Sequence, residues 1–517
     1  MKMDANFLRY SALDSACTLE IKRAFWNDLS PDFSCAYDLT MSIFPVLMFM
    51  QTRGIKVNRT SLELTKVDVL KSKAEKQEEL EKLCGRTINV NSSPDCQRYF
   101  YDELGIPPYR NKDGKSTTDD LALQRLVRGT VARPGLRQAK LVQDIRGLQK
   151  LFGTYLDLEF DADDRIRCSY NPRGTKFGRL SSSKTVFGTG TNLQNLPQEF
   201  KAFLVPDEGY VFLEVDKAQA EWVGVAYISG DANMIAAVEA RVDVHAYTAS
   251  QMFNVPPEVI EHENGLVGHM NDADAIKEIR LADPICSHYN IATWPRTMSL
   301  RQCGKKSNHG LNYDEGYRGF AMINEVDEAE AKRVVTFYHN IYPGIRIWYE
   351  VIKRQLQRDR TLTNCFGRSV RFLDAWNDQL WKSAYSMLPQ STIVDSLNEG
   401  MVKVYDDEWL CGKNFCNIDI LAQVHDSVLM QVPIAEMQDL HTYEGIQRRI
   451  ADYTSPTLNY NGRSFTIASD FKVGLGNWGG YHKERNSGGM RSFKSHGAFM
   501  DALTNWKNNG SGTVGVA

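Results

Sequence analysis

The segment 210–231, YVFLEVDKAQAEWVGVAYISGD, constrains the fold more than any other part of this sequence. Residues 210–215 are rich in aromatic and β-branched side chains, which predicts a buried strand. Asp216 ends that strand, and from Ala218 onward apolar residues recur at helical spacing. A carboxylate at such a junction can bind a cation, or it can simply cap the helix. The rest of the chain decides between these two interpretations.

Length and composition predict a large intracellular protein. At 517 residues the chain is too long for a single core, so we expect two to four lobes. The N-terminus lacks the apolar core of a signal peptide, and no stretch approaches the length of a membrane span, so we expect a cytoplasmic location. The ten cysteines form no CxxC pair, which favours reduced thiols over a zinc site or disulfides.

The charge is unevenly distributed along the chain. The formal net charge of −3 does not by itself indicate a nucleic-acid partner. Residues 51–150, however, hold 20 Lys/Arg against 13 Asp/Glu, which makes this segment +7 and leaves the remainder at −10. Residues 165–201 hold seven basic residues and one acidic residue. Local basic patches of this kind suit a groove that follows a phosphate backbone, although the run 66–82 is better explained as a solvated charged helix.

A predicted helix over 299–313 carries two cations and two rings on one face. Arg301, Lys305, His309 and Tyr313 follow one another at intervals of four, and each step turns only about 40° around the helix. Cations followed by rings suit a triphosphate with its sugar beyond it. A basic surface stripe is the alternative.

A second carboxylate lies in a predicted hairpin over 418–432, which reverses at His425 and Asp426. Asp426 is flanked by apolar strands, where a charge is costly unless it binds a cation. Two aspartates from separate segments, together with phosphate-binding cations, predict a two-metal site for phosphoryl transfer.

These motifs resemble those of family A DNA polymerases, and the resemblance covers about residues 5–480 in order. The segment 216–221 resembles motif A, 301–313 resembles motif B in its spacing, and 423–426 resembles motif C. Further family marks are GRLSS at 178–182, NLQN at 192–195, DVH at 243–245, PQ at 389–390 and the closing VGLGNW at 473–478.

The resemblance implies an α+β fold shaped like a right hand, with a mainly helical thumb and fingers around an antiparallel palm sheet. It divides the chain into 1–30 (the end of a 3′–5′ exonuclease domain), 31–160 (thumb and a first palm edge), 161–245 (palm), 246–385 (fingers, with an irregular insertion at 252–299), 386–478 (palm) and 479–517 (a flexible tail rich in Gly, Ser and Asn).

The resemblance also implies the role of each site residue. Asp216 and Asp426, joined by the backbone carbonyl of Lys217, would bind two Mg²⁺ ions. Arg301 and Lys305 would bind the outer phosphates, with Lys305 donating a proton to pyrophosphate, and Glu221 would exclude a ribose 2′-hydroxyl. The remaining implied contacts are with the dNTP, through Gln219, His309 and Tyr313, and with primer-template DNA, through Arg179, Gln390, His425, Gln423, Asn195, Arg146 and Lys150.

The chain departs from the family pattern at several positions. His309 stands where relatives carry Phe or Tyr, Ser427 where motif C ends in Glu, and Asp314 where Gly is usual. Because Arg301 and Lys305 are close in sequence, we expect His309 to be neutral in the free enzyme at pH 7.5. Nucleotide binding should then take up protons, and the KM for nucleotide should fall as the pH drops from about 8 toward 6.5.

The N-terminal Tyr10-x-x-x-Asp14 resembles the last motif of the family's exonuclease. We therefore expect a monomeric phage-type replicase that does not proofread, with an exonuclease partner encoded separately and no contact with a membrane. Two alternatives remain open at this stage: a single-subunit RNA polymerase, against which Glu221 argues, and a catalytically inactive DNA-binding subunit, against which Asp216, Asp426, Arg301 and Lys305 argue.

Overall fold

A five-stranded antiparallel sheet lies at the centre of the fold. We describe the protein from a computed structural model, and the described residues are 5–26, 31–111, 113–129, 133–268, 270, 272–291, 298–324, 328–481 and 488–508. The strands of this sheet, in order from one edge to the other, are β14 (Met490–Arg491), β13 (Ser469–Gly474), β6 (Tyr210–Lys217), β10 (Ser427–Pro433) and β9 (Asp419–Val424).

The other strands form small sheets at the margins of the palm and fingers. They are β1 (Ile55–Val57), β2 (Arg165–Ile166), β3 (Ser169–Asn171), β4 (Ser181–Ser183), β5 (Leu204–Val205), β7 (Thr361–Thr363), β8 (Ser369–Arg371), β11 (Thr457–Tyr460) and β12 (Arg463–Thr466).

Helices account for most of the first 160 residues, as predicted for a thumb. A polar cap starts α4, where the Asn58 side chain accepts a hydrogen bond from Ser61 N–H, and Gly85 ends it at φ 69°, a left-handed conformation that glycine adopts without strain. The helices are α1 (Ala5–Trp26), α2 (Pro31–Ser42), α3 (Phe44–Arg53), α4 (Arg59–Cys84), α5 (Ser93–Gln97), α6 (Asp120–Arg128) and α7 (Arg137–Leu151), with π-helical turns at Arg98–Glu103 and Phe152–Leu156.

The middle of the chain is also mainly helical, in the later part of the segment predicted as palm (161–245) and in the segment predicted as fingers (246–385). Its helices are α8 (Gln198–Lys201), α9 (Ala220–Ser229), α10 (Ala232–Glu239), α11 (Val244–Phe253), α12 (Pro257–Val267), α13 (Ala273–Ala282), α14 (Pro284–His288), α15 (Leu300–Leu311), α16 (Tyr317–Asn324), α17 (Glu328–Ile341) and α18 (Pro343–Asp359). The long helix α19 (Asp378–Asp406) then leads back to the palm, where α20 (Glu408–Cys411), α21 (Ile434–Gln438) and α22 (Leu440–Thr454) follow.

The fold class is α+β, as predicted, but two segments differ from the sequence prediction. The insertion at 252–299 was expected to be irregular, yet its described residues contain α12, α13 and α14. Val259 and Ile260 of α12 and Cys286 of α14 are buried in one cluster with Leu300 at the start of α15. Its Trp-Pro-Arg motif at 294–296 lies outside the described residues.

The C-terminal segment also differs from the predicted flexible tail. β14 pairs with β13, with Val473 opposite Arg491, and α23 (His496–Asn508) packs on the palm. Phe499 and Leu503 of α23 are 0 % and 1 % exposed in the main core. The prediction of a flexible segment over 488–508 was therefore wrong, because an apolar pair four residues apart outweighs the polar composition around it.

One N-terminal stretch also requires a correction. By length and composition alone, Phe33–Arg53 is a helical region apolar enough to cross a membrane, contrary to our expectation from the sequence. Val46, Leu47 and Met50 of this stretch are buried in the main core with residues of the palm sheet. Helices that contribute to a protein core satisfy the same length and composition test, so this stretch is weak evidence for a membrane contact.

Candidate active site

The two predicted aspartates meet at one end of the palm sheet. In the register of β6 and β10, Asp216 lies opposite Ser427, the residue that follows Asp426. The N–H of Lys217 donates a hydrogen bond to the carbonyl of Asp426, with N and O 3.2 Å apart. The strand and hairpin predicted from the sequence therefore place both carboxylates at one corner of the sheet.

Both carboxylates are partly buried, with 44 % of the Asp216 side chain and 24 % of the Asp426 side chain exposed. Burial raises the pKa of Asp216, and the negative charges of Glu214 and Asp426 add to this effect against the opposing charge of Lys472. Burial also raises the pKa of Asp426, against the opposing charge of Arg179. The Lys472 ammonium lies 3.8 Å from Asp216 Oδ2, and Arg179 Nη2 lies 3.6 Å from Asp426 Oδ1.

This corner fits a divalent cation. Asp426 Oδ1 is buried and accepts no hydrogen bond from the residues that the structure describes. Arg179 Nη2, at 3.6 Å, offsets part of the charge of this oxygen but lies beyond hydrogen-bond distance, so the oxygen can still bind a cation. Asp216, Asp426 and the carbonyl of Lys217 supply the hard oxygen ligands that Mg²⁺ prefers. The Lys217 side chain is directed elsewhere: its ammonium lies inside the palm, 3.4 Å from both Ser396 Oγ and the carbonyl of Ile467.

Glu221, in the first turn of α9, is the centre of a polar network. Its Oε1 accepts hydrogen bonds from Arg179 Nη2 and Gln390 Nε2, each at 3.2 Å. Its Oε2 lies 2.5 Å from Nδ1 of His309. Glu221 thus links four separate segments: the GRLSS loop, α9, α15 and α19. The sequence identified all four of these residues but gave no indication that they contact one another.

The contact with Glu221 shifts the pKa of His309. This close ion-pair contact is the largest influence on the ring and raises the pKa of His309, against burial and the charges of Arg179 and Lys305. Burial acts to raise the pKa of Glu221, but His309 and Arg179 outweigh it, so that pKa is lowered. Our expectation that Arg301 and Lys305 would lower the pKa of this ring overall was wrong, because a carboxylate from another helix lies closer than the sequence neighbours suggested. Proton uptake on nucleotide binding stays a prediction.

Helix α15 contacts this site through His309. Arg301 Nε donates a hydrogen bond to Asp243 Oδ2 at 2.7 Å, and Lys305 is exposed one turn further on. His309 and Tyr313 follow, with ring centroids 5.9 Å apart in an edge-to-face arrangement. The Tyr313 hydroxyl is buried and has no hydrogen-bond partner among the described residues. Gln219, just before α9, is exposed at φ 48°.

Three of the predicted DNA contacts lie beside the carboxylates. Arg179 and Gln390 share Glu221, as described above. His425, at the tip of the hairpin, is exposed at φ 53°, and its N–H donates a hydrogen bond to Gln194 Oε1 at 3.2 Å. The side chains of Asn195 and Lys150 are also exposed, and a contact of either with DNA stays a prediction.

Two other predicted DNA contacts make hydrogen bonds within the protein instead. Gln423 is 1 % exposed, and its amide donates to the carbonyl of His425, so its side chain shapes the hairpin and is not presented to DNA. Arg146 donates to the carbonyls of Val90 and Thr118 at 2.7 and 2.6 Å, which fixes its guanidinium within the thumb. These contacts argue against the DNA-binding roles that the resemblance implied for both residues.

Two residues that sequence reasoning did not assign also support the site. The Gln194 side chain bonds to Gln423 and to the backbone of His425, so it holds the hairpin from the NLQN loop. Glu214 accepts a hydrogen bond from the Ser427 hydroxyl at 3.4 Å. Glu214 is two residues before Asp216 on β6 and thus on the same face of the sheet. This spacing is the sequence feature from which Glu214 could have been predicted to lie at the site.

Comparison with known proteins agrees with this arrangement. A model of the family described as "DNA polymerase family A" matches residues 59–265 and 288–475. The thermostable DNA polymerase I of Thermus filiformis is 28 % identical over 409 residues, which cover 75 % of this chain and 42 % of the relative. DNA polymerase I of Pseudomonas aeruginosa is 24 % identical over 442 residues, covering 82 % and 43 %. This chain therefore matches less than half the length of these relatives.

A solved structure shows the same fold. The POL domain of Pol1 from M. smegmatis, in complex with DNA primer-template and dNTP, superposes with a TM-score of 0.66 at 24 % identity. The match covers 84 % of this chain and 69 % of that one, and it supports the predicted right-hand polymerase fold. On the family match over most of its length, the chain belongs to DNA polymerase family A.

Proposed function

We propose that this chain is a template-directed DNA polymerase that extends a primer 3′-hydroxyl with dNTPs. The observation that carries the proposal is the meeting of Asp216 and Asp426 at one corner of the palm sheet. Contacts through Arg179 and Glu221 link this corner to His309 of α15, the helix that also carries Arg301 and Lys305. Membership of DNA polymerase family A supports it.

The residues divide the task by chemistry. Asp216, Asp426 and the Lys217 carbonyl would hold two Mg²⁺ ions, which when bound make the primer hydroxyl a better nucleophile and neutralise charge on the phosphates. Arg301 and Lys305 bind the triphosphate, and the exposed Lys305 ammonium can give a proton to the departing pyrophosphate. Tyr313 and Gln219 border the nucleotide.

The groups around Glu221 select the substrate and hold the duplex. Glu221 is fixed in place by Arg179, Gln390 and His309, and it fills the space that a ribose 2′-hydroxyl would need. Arg179, Gln390 and His425 face the primer terminus, and Asn195 and Lys150 contact the template or the duplex backbone.

The proposal also includes the setting in which the enzyme works. We propose a monomeric replicative enzyme of a phage, acting in the cytoplasm of a bacterial host with a separately encoded 3′–5′ exonuclease. The Tyr10-x-x-x-Asp14 motif on α1 supports the exonuclease partner, because it resembles the end of an exonuclease domain. Co-purification of the native enzyme with a polypeptide that degrades mismatched 3′ ends would support this part, and purification of the polymerase alone would argue against it.

Primer extension tests the central proposal. Asp216→Ala and Asp426→Ala should each lower the rate of dNTP incorporation on the order of a thousandfold or more, because each removes a ligand of the reacting centre. Binding of primer-template DNA should survive in both variants, as measured by fluorescence anisotropy. Ser427→Ala is the matched control, since it alters the adjacent residue without removing a carboxylate, and it should change the rate less than about tenfold.

Two outcomes would contradict the proposal. Substantial extension by either aspartate variant would show that the carboxylates are not the reacting centre. Extension by the wild type with rNTPs in preference to dNTPs would indicate an RNA polymerase instead.

A further inference from the structure

A fully buried ion pair joins two helices of the fingers that lie next to α15. Glu263 of α12 and Arg280 of α13 are both 0 % exposed. Glu263 Oε1 accepts hydrogen bonds from Arg280 Nη2 at 2.6 Å and from Nε at 3.0 Å. Burying two charges is costly, and such a pair persists only where its remaining hydrogen-bonding capacity is also used.

Part of that remaining capacity is directed at the start of α15. Glu263 Oε2 accepts a hydrogen bond from the N–H of Leu300 at 2.9 Å, and Arg280 Nη2 donates to the carbonyl of Met298 at 2.9 Å. The cap residue Ser299 donates its hydroxyl proton to Asn264 Oδ1 at 2.8 Å. The first turn of a helix has unpaired N–H groups and a partial positive charge, so a carboxylate at this point fixes the position of the helix end.

Helix α11 fixes the rest of α15 from another side. A Cβ built on Gly304 would come within 2.3 Å of the carbonyl of His245, so the two backbones are in direct contact there. Asn308 accepts a hydrogen bond from Thr248 at 2.8 Å and donates to the carbonyl of Val244 at 3.1 Å. These contacts with α11 lie further along α15. The ion pair adds a polar contact at the N-terminus of α15, at Leu300, one residue before Arg301.

Arg280 lies in a part of the chain that the family model does not match. The family match ends at residue 265 and resumes at 288, so Glu263 lies inside it and α13 with Arg280 lies outside it. The added helix thus supplies the counter-charge for a carboxylate that contacts the nucleotide-binding helix.

We propose that the segment 266–287 is a positioning element for α15: Arg280 holds Glu263 against the N-terminus of that helix and so sets where Arg301 and Lys305 meet the triphosphate. This inference rests on the proposed polymerase function. Glu263 and Arg280 are positioning residues, since they act through α15. A displacement of about 1 Å at a group that orients a substrate can cost about a hundredfold in rate, so a looser helix end should weaken nucleotide use.

The test separates positioning from stability. The double variant Glu263→Leu/Arg280→Met removes both buried charges, and such replacements often preserve stability, whereas removal of one partner does not. We expect a melting temperature within about 5 °C of wild type and an unchanged Kd for primer-template DNA. The KM for dNTP should rise about tenfold, with a smaller effect on kcat, because the Leu300 N–H has lost its acceptor. Glu278→Gln, an exposed change on the same helix, is the control and should behave as wild type.

A normal KM for dNTP in the folded double variant would overturn the proposal. If the double variant does not fold, Asn264→Ala decides, because it removes only the acceptor of the Ser299 hydroxyl. Asn264→Ala should raise the KM two- to threefold, and an unchanged KM would overturn the proposal.

A measurement without nucleotide separates this inference from the proposed function. Hydrogen exchange of the amides of residues 300–303 should be faster in the double variant than in wild type, whether or not the enzyme extends a primer. Unchanged exchange would overturn the positioning role. Failure of the wild type to extend any primer would overturn the polymerase proposal alone.

Discussion

Glu221 is the residue on which most of the site's polar contacts converge. Arg179, Gln390 and His309 each bind one of its oxygens, and they come from a loop, from α19 and from α15. The carboxylate is therefore held in one orientation when no nucleotide is present. A group that excludes a 2′-hydroxyl by its bulk must be fixed in this way, since a mobile side chain would yield to the larger sugar.

Two substitutions at Glu221 distinguish bulk from charge. Glu221→Ala opens the space for a 2′-hydroxyl and should lower the preference for dNTP over rNTP by about a hundredfold. Glu221→Gln keeps the size and loses the charge, so it should retain most of the preference. The measurement is the ratio of kcat/KM for a matched dNTP and rNTP. An equal loss in both variants would mean that charge, and not bulk, makes the selection.

The ion pair between His309 and Glu221 should make stability depend on pH. The raised pKa of His309 stabilises the folded protein fully below the ordinary histidine value of 6.5, and this stabilisation is lost as the pH rises through the folded pKa. The lowered pKa of Glu221 stabilises the folded protein above the ordinary glutamate value of 4.5. This stabilisation is lost as the pH falls through the folded pKa of Glu221. The pair is therefore fully formed between those two ordinary values.

Melting temperatures of wild type and His309→Gln test this prediction. The wild type should exceed the variant by more at pH 6 than at pH 9, because His309 is deprotonated at the higher pH. Glu221→Gln should show the same loss of pH dependence, since it removes the other half of the pair. A difference between wild type and His309→Gln that is the same at both pH values would show that the ring only packs.

At the residue scale, sequence reasoning identified positions better than contacts. Asp216 and Asp426 were recognisable because each interrupts an apolar strand pattern. The burial of Gln423 and the internal hydrogen bonds of Arg146 were not recognisable from the sequence. Each depends on backbone carbonyls that the tertiary structure brings close to the side chain. The charge of His309 was misjudged for the same reason: its partner is 88 positions away in the chain, at Glu221.

Among the helices and strands, those with a strong periodic pattern of apolar residues were predictable from the sequence. Those with a mainly polar composition were not. The strand–helix unit at 210–231 and the hairpin at 418–432 form close to where the pattern placed them. Helices α12, α13 and α23 were missed, since Gly, Ser, Asn and acidic residues around them hide a few buried apolar positions. Short amphipathic helices of this kind derive their stability from packing, which the local sequence does not record.

Helix α23 provides a direct test of that packing. Phe499→Ala should destabilise the protein by about 3–5 kcal/mol, because the ring is fully buried against the palm, with its centroid 5.6 Å from that of Tyr443. Phe25→Ala, on α1, is the matched control: this ring is 66 % exposed, and its loss should change stability by less than about 0.5 kcal/mol. Urea denaturation measures both. Similar midpoints for Phe499→Ala and wild type would show that α23 is not part of the folded core.

For the whole molecule, the distribution of charge indicates where DNA would be held, and the fold indicates where the reaction would take place. The net charge of −3 is not that of a typical DNA-binding protein, yet the excess of +7 over residues 51–150 is confined to one lobe. The acidic remainder includes the carboxylates of the palm, where metal ions are expected. We therefore expect the thumb to hold the duplex and the palm to carry out the reaction. Such a division does not require a uniformly basic surface.

The last prediction concerns the whole chain and its capacity to remove nucleotides. Two-metal exonuclease chemistry needs several carboxylates around one point. Among the residues that the structure describes, no group of three or more His, Cys, Asp or Glu side chains could hold a metal ion. Tyr10 and Asp14 lie on α1 with both side chains exposed, so the motif that resembles an exonuclease has no partner carboxylates assembled around it in the described part of the chain.

We therefore expect that the purified chain, given Mg²⁺ and no nucleotide, does not shorten a primer with a mismatched 3′ end. Gel analysis of an end-labelled primer measures this, with Asp14→Asn as the matched variant. Degradation by the wild type that disappears in Asp14→Asn would show that α1 belongs to a working exonuclease site.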